Sequence, residues 1–513
     1  MHTGDAAAVK PSGGELHFLL NGEPLRVRDA PPQTTVLDFL RERLGRTGTK
    51  EGCAEGDCGA CTVVLAEPAG DGGLAWRPIN ACIRLLPTID GKALVTVEGL
   101  KDRDGVLHPV QQALVDCHAS QCGFCTPGFV MSLFGLYKAS GRCTRAEIED
   151  ALSGNLCRCT GYRPIIAAAQ RMHELPPAIG WRAPGVDKAG RRLISGEERE
   201  LCGVLSRSSR ERELAYECAG QCFFAPTDED SLAALCLAHP EARLLAGGTD
   251  VGLWVTKQHR DLGTIIHTGN VRELLGTRVA ASRLELGAAV PLTQALALIE
   301  AEYPKLAEVW SRFGSPPIRN SATLGGNIAN GSPIGDSMPV LLAFGTSLVL
   351  RRGASRRVVG LDDFYLGYQR TALEAGEFIS TIYVPRREPA TELRAYKVSR
   401  RFDQDISAVF ACFLLRRTSA SASAPVASIR IGCGGVAAIP KRASRCERAI
   451  VGRAWDEATV AAGQAALESE FEPITDMRAS AAYRRAVLAN LLRRFFVETS
   501  TGERTRAMEY ASR

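Results

Sequence analysis

The chain has 513 residues, room for about three or four domains of ordinary size, and 45% apolar with 23% charged residues is globular composition. A net charge of +5 over this length gives no concentrated basic face for nucleic acid, and the chain lacks the run of about eighteen apolar residues that would span a membrane. The opening MHTGDAAAVKPSGG lacks the charged and apolar regions of a secretory signal. It is expected to be a disordered tail, and the protein is expected in the cytoplasm.

The first predicted elements make a small strand-rich domain over residues 16–100. A strand from Glu15 to Leu20 meets the hairpin signal Asn21-Gly22 and a second strand from Glu23 to Arg28. Thr35 opens a helix with Leu37, Leu40 and Leu44 on one face, and Gly45 ends it. A strand from Thr62 to Ala66 follows the first cysteines. Residues 101–180 read as four short helices. They open at His108-Pro109, at Thr126-Pro127, at the capping box Thr144/Glu147 and at Thr160/Pro164. The second has its apolar residues Val130, Leu133, Phe134 and Tyr137 at helical spacing. Residues 181–217 are expected to be a linker, because GEEREL and SSRERE offer few apolar anchors. Residues 218–388 read as mixed α and β. A shift near Pro385 to Pro389 predicts a separate domain over 389–505. SASASAP at 419–425 is expected to be an exposed hairpin loop. The basic residues Arg351, Arg352, Arg356 and Arg357 are expected at solvated strand ends.

Seventeen cysteines in a reducing compartment point to metal rather than disulfides. Nine are scattered (Cys117, Cys143, Cys202, Cys218, Cys222, Cys236, Cys412, Cys433 and Cys446) and are read as small buried hydrophobes. The other eight form two groups. Cys53, Cys58, Cys61 and Cys82 have the C-x4-C-x2-C…C spacing of plant-type [2Fe–2S] ferredoxins. Gly56 and Gly59 among them let backbone amides turn toward sulfur. A zinc site more often uses two C-x2-C pairs, and only Cys58 and Cys61 form one here. Cys122, Cys125, Cys157 and Cys159 lie in QCGFCTPG and CRCTGY, with thirty-one residues between Cys125 and Cys157. Taken alone, that spacing suits zinc or iron–sulfur. Both pairs precede predicted helices, whose N-terminal dipole ends favour anionic thiolates.

Two glycine-rich stretches follow, LLAGGTDVGL at 244–253 and SATLGGNIANGSPIGD at 321–336. Each offers unhindered amides for an anion such as pyrophosphate, although a glycine pair is more often a tight turn. IGCGGVA at 431–437 contains G-x-G-x-x-A, but Pro440 follows where a helix would be needed. It reads as a strand turn.

QCGFCTPG and GNLCRCTGY after a ferredoxin-like group resemble the two-cluster module of the xanthine dehydrogenase/aldehyde oxidase family of molybdenum hydroxylases. The two glycine stretches and YKVSRRFDQDISAV at 396–409 resemble its flavin domains. The resemblance implies a multidomain α+β protein: a β-grasp ferredoxin domain, a four-helix [2Fe–2S] domain, a two-part FAD-binding domain and an α+β C-terminal flavoprotein domain. It maps the flavin pyrophosphate onto Leu244, Leu245, Ala246, Gly247, Gly248, Thr249, Asp250 and Val251, with Asp250 where some members carry Glu. It maps further flavin contacts onto Phe313, Thr323, Gly325, Gly326, Asn327, Asp336, Ile379 and Lys397. Gln121, before the first cysteine of the second group, would contact a pterin held by a partner.

On this resemblance the chain is an electron-transfer small subunit of the xanthine dehydrogenase type. It would carry two [2Fe–2S] clusters and FAD, with NAD as acceptor and no catalytic acid or base of its own. The partner would be a large molybdopterin-binding subunit in a heterotetramer, since the sequence ends at Arg513 without a molybdopterin domain. Oxidation of hypoxanthine and xanthine to urate is the expected reaction. A hydroxylase of another aldehyde or N-heterocycle and a stand-alone flavin/iron–sulfur reductase are the alternatives.

Overall fold

The computed structural model describes residues 14–502, apart from 140, 142, 179, 188–191 and 209–212. The expected N-terminal tail, the central arginines and glutamate of SSRERE and the last eleven residues lie outside the described residues. The chain divides into two compact units. One comprises the residues up to Arg272 with Pro291–Thr293 and Gly314–Ala322. The other comprises Glu273–Val290, Gln294–Phe313 and the residues from Thr323 onward.

The first unit begins with the expected hairpin. Leu16–Leu20 pairs antiparallel with Glu23–Val27. Asn21 and Gly22 take φ of 54° and 90°, the left-handed pair that a two-residue hairpin turn requires. The strand Ala93–Val95 inserts beside Leu16–Leu20 in parallel and continues antiparallel to Thr62–Pro68, which pairs with Leu74–Asn80. Thr35 caps the helix as expected, its hydroxyl accepting from the Asp38 amide at 3.1 Å. Only Val36–Asp38 is α-helical; Phe39–Arg43 is a π-turn closed by the Leu44 amide on the Phe39 carbonyl. Leu37 and Leu40 are buried under the sheet nonetheless.

The four expected helices are present as Pro109–Asp116, Thr126–Ala139, Arg145–Leu152 and Arg163–Arg171. His108 and Thr144 both close capping boxes, with Gln111 and Glu147. Val130, Leu133, Phe134 and Tyr137 are buried, and they share one core with Val64 and Val95 of the preceding sheet. Glycine permits this close packing. A Cβ on Gly128 would sit 2.1 Å from the Gly59 carbonyl oxygen, and one on Gly135 would sit 2.3 Å from the Pro78 ring.

The segment expected to be a poorly anchored linker contains the helix Gly196–Ser208. Cys202 and Leu205 pack on Leu19, Ala66, Leu74 and Ala93, with Leu201 and Val204 beside them. Glu198 is buried, bonded to the Leu74 amide at 2.7 Å and paired with Arg192 at 2.6 Å. Four apolar residues at helical spacing were enough to anchor a segment whose other faces are charged.

The unit closes with a four-stranded sheet in which Arg243–Leu245, Thr264–His267 and Gln221–Ala225 run parallel and Leu214–Cys218 lies antiparallel at the edge. Cys218 pairs with Gln221 and Cys222 with Glu217, so the two cysteines point to opposite faces of their hairpin.

The second unit holds an antiparallel sheet ordered Thr277–Val279, Arg283–Gly287, Phe378–Pro385, Ser347–Arg352, Ser355–Gly360. Arg352, Arg356 and Arg357 are exposed at its edge hairpin. Arg351 is not; it is buried and bonds the Gly353 carbonyl at 2.9 Å. A second sheet runs Thr391–Val398, Val409–Arg417, Val426–Gly434, Lys441–Arg442 and is covered by the helices Glu457–Glu470 and Ala481–Ser500. Residues 419–425 form the hairpin loop expected of them. IGCGG is the end of a strand, and its glycines admit the helix Ser337–Phe344: a Cβ on Gly432 would lie 1.8 Å from the Pro339 carbonyl oxygen. Of the nine scattered cysteines, Cys202, Cys236, Cys412, Cys433 and Cys446 are buried and the other four are half-buried. No helix among the described residues is long and apolar enough to cross a membrane.

Candidate cofactor sites

The first cysteine group is assembled at the end of the first sheet. Cys53 and Cys58 lie on the loop between the π-turn and Thr62–Pro68, Cys61 lies at that loop's end, and Cys82 follows the strand Leu74–Asn80. The loop turns through left-handed residues: Ala54, Gly56 and Gly59 have φ of 55°, 81° and 70°. This turns backbone amides inward. Those of Asp57 and Cys58 point at the Cys53 sulfur at 3.3 Å and that of Glu55 at 3.5 Å. Cys61 Sγ lies 3.3 Å from Cys82 Sγ, and the Asn80 amide reaches Cys61 at 3.9 Å. Cys61 and Cys82 are buried, Cys53 and Cys58 half-buried.

Mutual hydrogen bonding splits the four thiols. Cys58 holds Cys53 low and Cys82 holds Cys61 low, while Cys58 and Cys82 are themselves pushed up. Thiols this close, ringed by amide donors, suit a group that takes all four as thiolates. Space is tight as well, since a Cβ on Gly52 would sit 2.8 Å from Cys58 Sγ.

The second group has the expected relation to helix starts. Cys125 immediately precedes Thr126–Ala139, and Cys157 and Cys159 lie just before Arg163–Arg171. Hydrogen bonding to Cys122 pushes the Cys159 thiol up. Thr160 bonds Cys157 Sγ through its hydroxyl at 3.2 Å and its amide at 3.5 Å. Burial and then Cys157 push the Cys125 thiol up to about 12. Cys157 moves the other way: burial raises it, and the Thr160 bonds outweigh burial. Cys122 and Cys159 are exposed, as are Gln121 and Phe124. Among the described residues, no three His, Cys, Asp or Glu side chains converge on a single ion position. A two-iron cluster asks for cysteines in pairs rather than for four around one ion.

The first glycine stretch lies in the first unit; the second begins there with Ser321 and Ala322 and continues in the second unit from Thr323. In the first unit, Leu245 ends a parallel strand and Val251 begins the helix Val251–Thr256. Between them the amides of Ala246, Gly247, Gly248 and Thr249 enter none of the backbone hydrogen bonds among the described residues. Gly248 has φ of 76°, and a Cβ on Gly247 would fall 1.9 Å from the Ser321 carbonyl oxygen. Leu244 and Asp250 are exposed beside this row. Free amides in a turn that excludes side chains match an anion-binding nest.

In the second unit, Thr323 caps the helix Leu324–Asn330 by accepting from the Gly326 amide at 3.0 Å. Gly325 abuts Ala288, its added Cβ falling 2.5 Å from the Ala288 side chain. Asn327 accepts from the Ser337 hydroxyl. Asp336 and Lys397, both predicted flavin contacts, are brought together as a buried ion pair at 2.7 Å. Ser407 and the Arg312 carbonyl complete their bonding at 2.6 and 3.0 Å. Ser407 lies in the 396–409 stretch, whereas the Arg312 carbonyl carries no sequence signal. Ile379 is buried within the strand Phe378–Pro385, and Phe313 is half-buried against Trp310.

Four family models match in chain order. Residues 18–84 match a 2Fe-2S iron-sulfur cluster binding domain and residues 96–170 a [2Fe-2S] binding domain. Residues 216–387 match the FAD binding domain in molybdopterin dehydrogenase, and residues 394–499 the CO dehydrogenase flavoprotein C-terminal domain. The chain is 33% identical to the xanthine dehydrogenase of Drosophila pseudoobscura pseudoobscura over 95% of its own length and 39% of that protein's. It is 32% identical to the xanthine dehydrogenase of Emericella nidulans over 94% of this chain and 38% of that one. It thus spans about two fifths of the length of these relatives. Among solved structures, carbon monoxide dehydrogenase from Hydrogenophaga pseudoflava aligns with a TM-score of 0.50 at 29% identity, covering 53% of this chain and 94% of that one. With two [2Fe–2S]-binding domains, a molybdopterin-dehydrogenase FAD-binding domain and a flavoprotein C-terminal domain in succession, the chain belongs to the molybdenum hydroxylase family.

Proposed function

We propose that the chain is the iron–sulfur and flavin part of a xanthine dehydrogenase. It relays electrons from a molybdopterin centre on a partner subunit to FAD and then NAD, while that centre oxidises hypoxanthine and xanthine to urate. The observation that carries this is extent. The likeness to xanthine dehydrogenases runs at 33% identity through 95% of the chain, across the cluster-binding and flavin domains together. The partner is a large molybdopterin-binding subunit, two of each forming a heterotetramer in the cytoplasm.

When bound, two [2Fe–2S] clusters move single electrons and FAD joins them to a two-electron hydride acceptor. Cys53, Cys58, Cys61 and Cys82 are the ligands of the first cluster, and Cys122, Cys125, Cys157 and Cys159 those of the second. Asn80, Thr160 and the amides of residues 55, 57 and 58 bond ligand sulfurs and so favour their thiolates. Leu244–Val251 wrap the pyrophosphate, with the free amides of Ala246, Gly247, Gly248 and Thr249 toward it. Thr323, Gly325, Gly326 and Asn327, with Asp336, Lys397, Ile379 and Phe313, shape the flavin's other contacts. No side chain of this chain acts as acid or base in the hydroxylation.

The likeness to carbon monoxide dehydrogenase favours a second reading, in which the same relay serves a hydroxylase of another substrate. The purified protein is expected to carry about four iron and four acid-labile sulfides per chain, with noncovalent FAD. Electron paramagnetic resonance should show two [2Fe–2S] signals, one lost in Cys58→Ser and the other in Cys125→Ser. Zinc, or a four-iron cluster, would contradict the ligands. Co-expressed with its molybdopterin subunit, the protein should reduce NAD with xanthine. Turnover of an aldehyde or another N-heterocycle without xanthine turnover would select the second reading.

A further inference from the structure

The segment that carries the first glycine loop also grips the loop of the first cysteine group. It runs from that loop into the helix Val251–Thr256. At the helix start, Gly252 lies against the residue after Cys82: its added Cβ would sit 2.7 Å from the Ile83 carbonyl oxygen. At the helix end, the Thr256 hydroxyl donates to the Ala54 carbonyl at 2.7 Å. The next residue, Lys257, donates its ammonium to the carbonyl of Cys53 itself. The Glu55 carboxylate lies 3.7 Å from the same ammonium. A cation and an anion therefore flank one ligand cysteine, and the cation comes from the residue that ends the helix into which the proposed flavin loop leads.

We propose that Lys257 sets the charge balance of the first [2Fe–2S] cluster, raising its reduction potential, with Glu55 as the opposing charge. This rests on the assignment of Cys53, Cys58, Cys61 and Cys82 to that cluster. Reduction adds one electron, forms and breaks no bond, and leaves the site one charge more negative. A cation at the Cys53 carbonyl stabilises the reduced state and an anion disfavours it. Lys257 and Glu55 side chains are 42% and 44% exposed, so water and salt screen both and the effect stays modest. Asp38, Glu51, His259 and Arg260 line a neighbouring cavity of about 390 Å³ that reaches Ala54, Cys82 and Thr256. They are common to every variant compared below, so differences among variants isolate Lys257 and Glu55.

The test is a redox titration of the loaded protein with dithionite, each cluster followed by its own paramagnetic signal. Lys257→Met should lower the reduced-to-oxidised ratio of the first cluster at fixed potential by about three- to tenfold, tenfold being about 59 mV for one electron. Lys257→Arg should restore it, and Glu55→Gln should move it the other way. Thr256→Val removes a neutral hydrogen bond from the same loop and should leave the midpoint in place. The second cluster should keep its midpoint throughout. An unchanged first-cluster midpoint in Lys257→Met, or a downward shift in Glu55→Gln, would overturn the proposal. If Lys257→Met fails to assemble the first cluster, Glu55→Gln decides alone, an unchanged or lowered midpoint being fatal. A wild-type protein lacking the first signal would instead remove the ligand assignment beneath it.

Discussion

Lys397 and Asp336 are 61 residues apart in sequence and 2.7 Å apart in the second unit, each side chain only 3% exposed. Burial pushes the Asp336 carboxyl up, and Lys397 and Ser407 pull it back. Lys397→Met should therefore strand a buried carboxylate and cost about 3–5 kcal/mol in urea denaturation near neutral pH. The sign with pH follows from the raised folded-state value. The penalty exists only while the carboxyl is ionised, so it should fade as pH falls toward the unfolded value of about 4. The double variant Lys397→Met/Asp336→Leu should recover most of the loss, because it removes both charges together.

Gly247→Val should release flavin and keep both clusters. The added Cβ would land 1.9 Å from the Ser321 carbonyl oxygen, backbone that cannot step aside as a flexible side chain could. The displaced loop would then lose its row of aligned amides. Flavin absorbance should drop several-fold while iron content holds. Unchanged flavin occupancy would mean that the pyrophosphate binds elsewhere.

Glu67 gives an acid-range prediction within the first sheet. Burial alone would raise its carboxyl, but Lys92, whose Nζ lies 3.0 Å away, and Arg77 hold it near 2. A depressed folded value means stability that is complete above the unfolded value of about 4.3 and is lost as pH falls toward 2. Glu67→Gln should thus be less stable than wild type at pH 6. The gap should close between about pH 4 and pH 2, as read by denaturation of the cluster-free protein. A gap independent of pH would assign the loss to packing.

Local chemistry was the legible part of this sequence. Cysteine spacing, the Thr144/Glu147 capping box, the prolines at helix starts and Asn21-Gly22 each act within a few residues, so they announced the cysteine groups, the helices and the first hairpin. Relationships between distant residues stayed hidden. Nothing near Asp336 points to Lys397, and nothing near Cys53 points to Lys257. The helix Gly196–Ser208 was masked by its charges, since Glu197, Glu198, Arg199, Glu200 and Arg207 outnumber Leu201, Cys202, Val204 and Leu205. The π-turn at Phe39–Arg43 left the apolar spacing of Leu37 and Leu40 intact, so periodicity could not reveal it.

Gln121 bears on the junction with the proposed partner. It is exposed immediately before the exposed Cys122, and Phe124 beside it is 47% exposed. An amide there can hydrogen-bond a pterin across an interface without being needed inside this chain. Gln121→Ala should remove such a bond, worth about 0.5–1.5 kcal/mol, and slow xanthine-driven cluster reduction by about two- to tenfold in the co-expressed complex. NADH oxidation with an artificial acceptor bypasses the junction, because electrons enter at the flavin, and should be nearly untouched. Both signals of the reduced clusters should keep their shape. Equal loss of the two activities would show that Gln121 supports the fold or the second cluster instead, and the junction role would have to be given up.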